Sequence, residues 1–125
     1  MMKKISKQLA IAAILAMPLA LSNATKASAG TFGSIAYSPA TGRYGYSWNY
    51  NSRSQAQNAA LRECGVRDCR VVSWFSNACG SLATSRYGWG SSWNANGTQA
   101  RISAVRACSQ YGPGCRSVRT VCSPR

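Results

Sequence analysis

The sequence predicts an α+β fold in which a β-β-α-β unit occurs twice and forms one small disulfide-braced domain with an antiparallel sheet and two helices. Three observations lead to this prediction: an internal repeat, six cysteines in a chain of 125 residues, and an N-terminal segment typical of export. A unit of about 45 residues is too short to bury a core alone. We therefore expect the two units to complete one core between them.

The N-terminal segment has the pattern of a secretory signal peptide. Three lysines precede an apolar run over residues 9–21, and a small-x-small motif ends at Ala29. A membrane-spanning helix needs roughly 20 apolar residues, so this run is too short for a membrane anchor. We expect cleavage after Ala29, which leaves residues 30–125 as a single domain secreted to the periplasm or the cell exterior.

The predicted mature chain is strongly basic. All four lysines lie before residue 30, so 11 arginines remain against Glu63 and Asp68, a formal net charge of +9. Such a domain attracts polyanions, and the planar guanidinium binds carboxylate or phosphate through two hydrogen bonds. We expect an anionic polymer, a membrane surface or an acidic protein face as the partner. Nucleic acid is a disfavoured partner because the sequence contains no nucleic-acid-binding motif. The alternative is that the positive charge only keeps the protein soluble.

Six cysteines in a short exported chain indicate three disulfides. Zinc would require closely spaced Cys-x₂-Cys pairs or histidines, and the mature sequence has neither. The sequence therefore predicts no metal and no cofactor.

The internal repeat covers almost the whole predicted mature chain, in units of about 30–78 and 79–125. The first copy aligns with the second at "GSIAYS" and "GSLATS", and at "RYGY" (43–46) and "RYGW" (86–89). A Gln-Ala pair and cysteines follow in both copies. Each unit begins with a β-prone run, a turn and an alternating aromatic run, which together predict a hairpin. The second copy lacks the Pro- and Gly-containing spacer, so its turn must be tighter.

A helix is predicted after each hairpin. Ser52 or Ser54 can cap the first helix, and Gly65 suits its end. Small residues recur at i, i+4 and i+8 in both copies and place a narrow stripe on one helix face: Ala56, Ala60 and Cys64, then Ala100, Ala104 and Cys108. Such a stripe lets a helix lie close against a sheet. A last strand, "CRVVSWF" or "CRSVRTVC", completes each unit.

The repeat also constrains the disulfide pairing. Cys64 and Cys69 recur as Cys108 and Cys115, each pair joining a helix end to the next strand. The simplest symmetric solution pairs them within each unit. The alternative exchanges partners between units, Cys64 with Cys115 and Cys69 with Cys108.

The remaining two cysteines, Cys79 and Cys122, have no counterpart in the first unit. Phe32 and Ser76 stand at the aligned positions there. By elimination Cys79 pairs with Cys122, which ties the start of the second unit to its last strand.

Several stretches of the mature chain occur together in a specific order. They are "GSIAYSPATGRYGYSWN" followed by spaced alanines, a leucine and a cysteine, then Cys-Arg-Val-Val with Trp-Phe close behind, then a second "GW" copy. In this arrangement the chain, from Gly30 to its C-terminus, resembles the secreted bacterial domain of unknown function 4189. The resemblance implies a small exported bacterial domain with internal cysteines and supplies no catalytic residues. Some relatives are associated with host-directed secretion or with antagonism between bacteria.

Few residues of the mature chain suit catalysis. The absence of histidine and lysine there removes His-based triads, Ser-Lys dyads and Schiff-base chemistry. Glu63 and Asp68 are the one possible acid–base pair, and Ala107 and Gly114 replace them in the second unit. We expect both carboxylates to pair with arginines, and we expect the protein not to be an enzyme.

The doubled hairpin supplies the candidate binding surface, because an arginine beside an aromatic ring can hold an anion while the ring stacks on a ligand. The candidates are Arg43, Tyr44, Tyr46, Trp48, Arg86, Tyr87, Trp89 and Trp93. Tyr44, Tyr46, Trp48 and Tyr50 share one strand face, which suits a buried core as well as an exposed platform.

Together these features favour a small exported, non-catalytic protein that binds an anionic envelope or extracellular partner through arginine–aromatic surfaces. The alternative is a secreted inhibitor, or an effector directed at a host or competitor, that uses a rigid basic face against a protein target.

Overall fold

A computed structural model describes residues 30–125 and confirms the predicted α+β fold. The first unit contains β1 (Phe32–Tyr37), β2 (Tyr44–Tyr50), α1 (Arg53–Cys64) and β3 (Arg70–Ser76), and the second contains β4 (Ala78–Thr84), β5 (Trp89–Asn94), α2 (Gly97–Ser109) and β6 (Arg116–Ser123). The order β-β-α-β therefore occurs twice. The predicted leader, residues 1–29, lies outside the described residues. Neither helix within 30–125 has the length and apolar character to cross a membrane.

The strands form two three-stranded antiparallel sheets, one from each unit. β1 lies between β2 and β3, and β4 lies between β5 and β6. The sheets face each other, with β1 against β4, β2 against β6 and β3 against β5. Exchanging the two units maps this set of contacts onto itself, so the units are related by an approximate two-fold axis. Each helix packs on the outer face of its own sheet, and the layers run helix, sheet, sheet, helix.

The main hydrophobic core lies between the two sheets. Ile35, Tyr46 and Phe75 of the first unit pack there with Leu82 and Val121 of the second. Each sheet alone would leave this apolar face in water, and burial of apolar surface is the main favourable contribution to folding. The expectation that two units complete one core is confirmed.

The ring of Phe75 fills the centre of this core. Its side chain is 2 % exposed, and it lies against Gly33 of β1 and Gly80 of β4, so that a Cβ at either glycine would overlap ring atoms. The two glycines are equivalent, because Gly33 pairs with Phe75 and Gly80 pairs with Val121. One phenyl ring therefore occupies the space that both glycines leave, and the smaller Val121 takes its place in the second unit.

The helices approach their sheets where side chains are smallest. The predicted small-residue stripes of both helices are buried. Opposite them stand Gly45 of β2 and Gly90 of β5, where a Cβ would overlap the backbone of α1 and α2 respectively. Close backbone approach is thus the reason for small residues on both sides.

The first helix has the caps that the sequence predicts. The Ser52 hydroxyl accepts a hydrogen bond from the Gln55 backbone N–H at 3.1 Å, and Gly65 ends the helix with a φ of 79°. In α2, Asn96 takes the N-terminal role and accepts from the Gln99 N–H at 3.0 Å. The hydrogen bonds to Ser52 and Asn96 each satisfy a backbone N–H that the first turn of the helix leaves unpaired.

The structure corrects the repeat alignment within the hairpins. Matching letters align Gly45 with Gly88. In the structure Gly45 pairs with Ala36 and Gly90 pairs with Ala83, and these alanines hold the same place in "GSIAYS" and "GSLATS". Gly45 therefore corresponds to Gly90, and the match of "RYGY" to "RYGW" is displaced by two residues.

The displacement follows from the length of the turns. The first hairpin turn spans residues 38–43 and the second spans 85–88, so the second is tighter, as the missing spacer predicts. Tyr87 consequently lies in a turn and not on a strand. The structural counterpart of Trp48 is Trp93.

Three disulfides brace the domain, and no cysteine within residues 30–125 is free. Two lie within the units, between helix end and following strand, and the third joins directly opposed residues of β4 and β6: Cys64–Cys69, Cys108–Cys115 and Cys79–Cys122. This is the local pattern and not the exchanged one. In the first unit, Phe32 and Ser76 oppose each other at the place of the third bond.

Replacing Gly80 with alanine is expected to destabilise the domain by roughly 1–3 kcal/mol, because the added methyl group overlaps the Phe75 ring. Phe75→Ala is expected to cost about 3–5 kcal/mol through the cavity that it leaves. Urea unfolding with the disulfides intact measures both losses. Gly97→Ala is the matched control, since a Cβ there meets its neighbours at 3.5 Å or more. An equal loss at Gly80 and Gly97 would contradict the role given to Phe75.

Candidate functional site

The two carboxylate side chains make separate contacts within the first unit. Glu63, in the last turn of α1, accepts a hydrogen bond from the backbone N–H of Tyr46 in the edge strand β2. Asp68 accepts one from the Ser38 hydroxyl at 2.7 Å. These partners are neutral groups and not the arginines that the sequence suggests. Both carboxylates therefore hold the end of α1 and its following loop to the sheet.

Every arginine within residues 30–125 is exposed: Arg43, Arg53, Arg62, Arg67, Arg70, Arg86, Arg101, Arg106, Arg116, Arg119 and Arg125. With 11 arginines against two carboxylate side chains, the surface carries a large excess of positive charge. Such a surface attracts anionic molecules over a distance set by the salt concentration.

The candidate residues of the first hairpin divide between core and surface. Tyr46 is 4 % exposed, and its hydroxyl donates to the Arg119 carbonyl oxygen at 3.0 Å, across the two sheets. Tyr44 is 41 % exposed and contacts the Tyr46 ring edge-on at 5.6 Å. Arg43 donates from Nε to the carbonyl oxygen of Cys64 at 2.9 Å and so satisfies the C-terminal end of α1.

Trp48 is half-buried beneath two guanidinium groups. The Cζ atoms of Arg119 and Arg125 lie 5.2 Å and 4.4 Å from its ring centroid, and Arg119 lies 5.3 Å from the Tyr46 ring. We refer to Tyr46, Trp48, Arg119 and Arg125 as the Trp48 cluster. The rings belong to β2, and the arginines belong to β6 and the C-terminal end. The cluster therefore forms only when the two sheets pack together.

The candidates of the second hairpin are also dispersed. Trp89 is half-buried and packs on Tyr37 at a centroid distance of 5.6 Å, at the edge of the core. Tyr87 is 53 % exposed in the turn, with Arg86 at 5.4 Å from its ring. Trp93, near the end of β5, is 60 % exposed. The eight predicted residues thus occupy several surfaces and the core, and do not form one site.

A groove of about 620 Å³ lies between the edge strands β3 and β5. We refer to it as the Trp74/Trp93 groove, and its lining residues are Val72, Ser73, Trp74, Phe75 and Ser76 of β3 with Ser91, Ser92 and Trp93 of β5. Trp74 is 39 % exposed and packs on Phe32 at 6.3 Å. The Arg53 guanidinium, at the start of α1, lies 4.4 Å from the Trp74 ring.

Sequence patterns single out Trp93, but neither Trp74, which also lines the groove, nor Arg53, which lies beside it. Arg53 and Trp74 meet only because α1 begins beside the end of β3. One signal in the repeat does mark Trp74. Ser34 pairs with Trp74 and Ser81 pairs with Thr120, so a tryptophan in one unit replaces a threonine in the other. Because Trp74 occurs in only one of the two units, the fold that both units share does not require a large aromatic residue at this position.

Burial changes the acidity of two tyrosines. Desolvation raises the pKa of the Tyr46 hydroxyl above its ordinary value, and the neighbouring Tyr44 adds to the rise. Desolvation also raises the pKa of Tyr37. Both hydroxyls therefore keep their protons at pH values where an unfolded tyrosine ionises.

Comparison with known proteins gives one family and several relatives. The model for a domain of unknown function, DUF4189, matches residues 32–122. Protein Rv1269c of Mycobacterium tuberculosis is 43 % identical over 56 residues, 45 % of this chain and 44 % of its own length. Uncharacterized protein Rv1813c of the same organism is 40 % identical over 52 residues, 42 % of this chain and 35 % of its own length. The match thus spans less than half the length of these relatives.

A solved structure has a similar fold. The NMR structure of Rv1813c superposes with a TM-score of 0.59 at 28 % identity, and the match covers 74 % of each chain. This likeness supports the α+β arrangement described above.

Stability is expected to fall as the pH rises above about 10, the ordinary pKa of tyrosine. The folded state keeps Tyr46 protonated while the unfolded state ionises, so the stabilisation is complete below that pH and is lost above it. Urea unfolding between about pH 8 and pH 11 measures the slope. Tyr46→Phe is expected to flatten the slope, and Tyr111→Phe, which removes an exposed hydroxyl, is the control. The same slope in wild type and Tyr46→Phe would contradict the assignment.

Proposed function

We propose that this chain, which belongs to the DUF4189 family, is an exported, non-catalytic binding domain that holds an anionic polymer of the cell envelope or its surroundings. The observation that carries the proposal is the repeated placement of exposed guanidinium groups over aromatic rings. It occurs at three places on the surface: Arg53 on Trp74, Arg86 on Tyr87, and Arg119 with Arg125 on Trp48.

A guanidinium stacked on a ring is suited to anion binding. Its face contacts the ring, and its N–H edge stays available for carboxylate or phosphate. The ring also limits the conformations of the long side chain, so less entropy is lost when an anion binds. Several such groups on one small domain can engage successive charges of a polymer, and joint binding is tighter than any single contact.

Export is part of the proposal. The basic and apolar segment before residue 30 has the pattern of a signal peptide. Three disulfides in a domain this small are typical of an oxidising compartment.

A non-catalytic role agrees with how the two carboxylates are used. A general acid or base must reach the proton that it transfers in a bound substrate. Glu63 instead holds the backbone N–H of Tyr46, and Asp68 holds the Ser38 hydroxyl. Both contacts support the fold around the end of α1.

Retention of the exported protein on immobilised heparin and on purified bacterial cell walls tests the proposal. We expect binding at about 0.05 M NaCl that is lost towards about 0.5 M, because added salt screens the arginine charges. The double variant Arg119→Ala/Arg125→Ala is expected to elute at lower salt than Arg101→Ala/Arg106→Ala. Both variants lose the same charge, but Arg119 and Arg125 stack on Trp48.

Absence of binding at low salt, or binding that salt does not affect, would overturn the proposal. A salt-resistant one-to-one complex with an acidic protein would instead favour the inhibitor or effector role. Equal elution of the two double variants would show that charge alone acts and that the aromatic rings do not contribute.

A further inference from the structure

We propose that the Trp74/Trp93 groove binds an anionic glycan, with a sugar ring stacked on Trp93 and an acidic group of the same chain held by Arg53. This inference rests on the proposed function and deepens it, because it names the class of polymer and the place where it binds.

The groove has a counterpart across the approximate two-fold axis. Trp93 corresponds to Trp48. Because Ile35 pairs with Ser73 and Leu82 pairs with Arg119, Ser73 stands where Arg119 stands in the other unit. There, Arg119 and Arg125 of the second unit cover the Trp48 ring of the first unit.

In the Trp74/Trp93 groove the chain supplies no such cover. Ser73 of β3 stands in the place of Arg119 of β6. In addition, β3 is followed at once by β4, whereas β6 is followed by the segment that contains Arg125. The outcome is visible in the exposure of the rings: Trp48 is half-buried, and Trp93 is 60 % exposed. The same position of the repeat therefore has an internally covered ring in one unit and an open ring in the other.

An exposed indole above a groove favours a ligand with a flat apolar face. Covering the ring removes apolar surface from water, and an indole prefers stacked contacts. The excess positive charge disfavours a cationic group in the role that arginine plays on Trp48. A pyranose ring fits instead, because its axial C–H groups form an apolar face while its hydroxyls point outward.

The other lining residues match the edges of a sugar. Four serines line the groove, and a hydroxyl can both donate and accept a hydrogen bond, as sugar hydroxyls do. The Ser91 hydroxyl donates to the Ser81 carbonyl oxygen at 3.1 Å and keeps its acceptor positions. Within residues 30–125, the side chains of Ser73 and Ser92 make no hydrogen bond to protein.

The charge of the ligand follows from Arg53, which does not line the groove but lies beside it, over the ring of the lining residue Trp74. Arg53 is exposed and lies 4.4 Å from the Trp74 ring, and no acidic residue lines the groove. The ring orients the guanidinium, whose N–H edge is suited to a carboxylate, sulfate or phosphate substituent.

Titration of the exported, disulfide-bonded protein with three probes tests this assignment by calorimetry. The probes are an oligogalacturonate, which has sugar rings and carboxylates, a neutral malto-oligosaccharide of equal length, and polyphosphate, which has charge without rings. We expect the oligogalacturonate to bind most tightly. Trp93→Ala is expected to weaken its binding about tenfold, the order of magnitude lost when an aromatic ring that stacks on a nucleobase is removed, and to leave polyphosphate binding unchanged.

Three variants separate the contributions. Trp93→Phe keeps a ring and is expected to retain part of the affinity. Arg53→Gln is expected to weaken oligogalacturonate binding and leave the neutral oligosaccharide unaffected. Tyr111→Ala removes a ring that is 64 % exposed and does not line the groove, and it is expected to have no effect. Because Trp93 and Tyr111 are both largely exposed, these proteins are expected to fold, and circular dichroism checks this.

The outcomes distinguish this inference from the proposed function. If heparin and polyphosphate bind but oligogalacturonate binding is unchanged by Trp93→Ala, the groove assignment is wrong and the polyanion-binding role stands. If none of the polyanions binds, both fail. The edge of β3 is also open to strand addition by an extended peptide, and displacement of oligogalacturonate by an uncharged β-prone peptide would overturn the glycan assignment.

Discussion

The packing of Phe75 between Gly33 and Gly80 is the constraint on which the rest of the structure depends. The two glycines lie on the central strands of the two sheets, and the ring occupies the space between them. This contact brings the sheets face to face and buries the apolar side of each. Because interiors are packed as densely as organic crystals, a side chain at either glycine would force the sheets apart or displace the ring. The asymmetry of the two units begins here, since Val121 is the counterpart of Phe75.

Every surface with functional potential depends on that contact between the sheets. In the Trp48 cluster, rings from β2 lie under arginines from the second unit. In the Trp74/Trp93 groove, one wall comes from each sheet. The repeat thus builds two related clefts along the edges of the sheet pair. One is filled by the chain's own arginines, and the other is left open.

Much of the architecture could be predicted from local patterns. The β-β-α-β order, the small-residue stripes and the tighter second turn all follow from periodicity and spacing, which depend on residues close in sequence. The alignment of "RYGY" with "RYGW" was wrong because identical letters outweighed the two-residue difference in turn length. Only strand pairing, in which Gly45 opposes Ala36 and Gly90 opposes Ala83, shows the true correspondence. We expected Glu63 and Asp68 to form ion pairs, but they accept hydrogen bonds from the Tyr46 N–H at a strand edge and from the Ser38 hydroxyl in a turn. The fold brings these partners together, so the sequence alone does not show them.

The sequence by itself determined the covalent and electrostatic character of the domain: six cysteines, 11 arginines and two acidic residues after position 29. It also determined the order of the elements, because hydrophobic period and capping residues act locally. Only the tertiary structure decided which aromatic residues are core and which are surface. Tyr46 and Trp93 both lie in predicted hairpin strands, yet one is 4 % exposed and the other 60 %. The reason is physical: exposure depends on what the opposite sheet places over a ring, and that neighbour is distant in sequence.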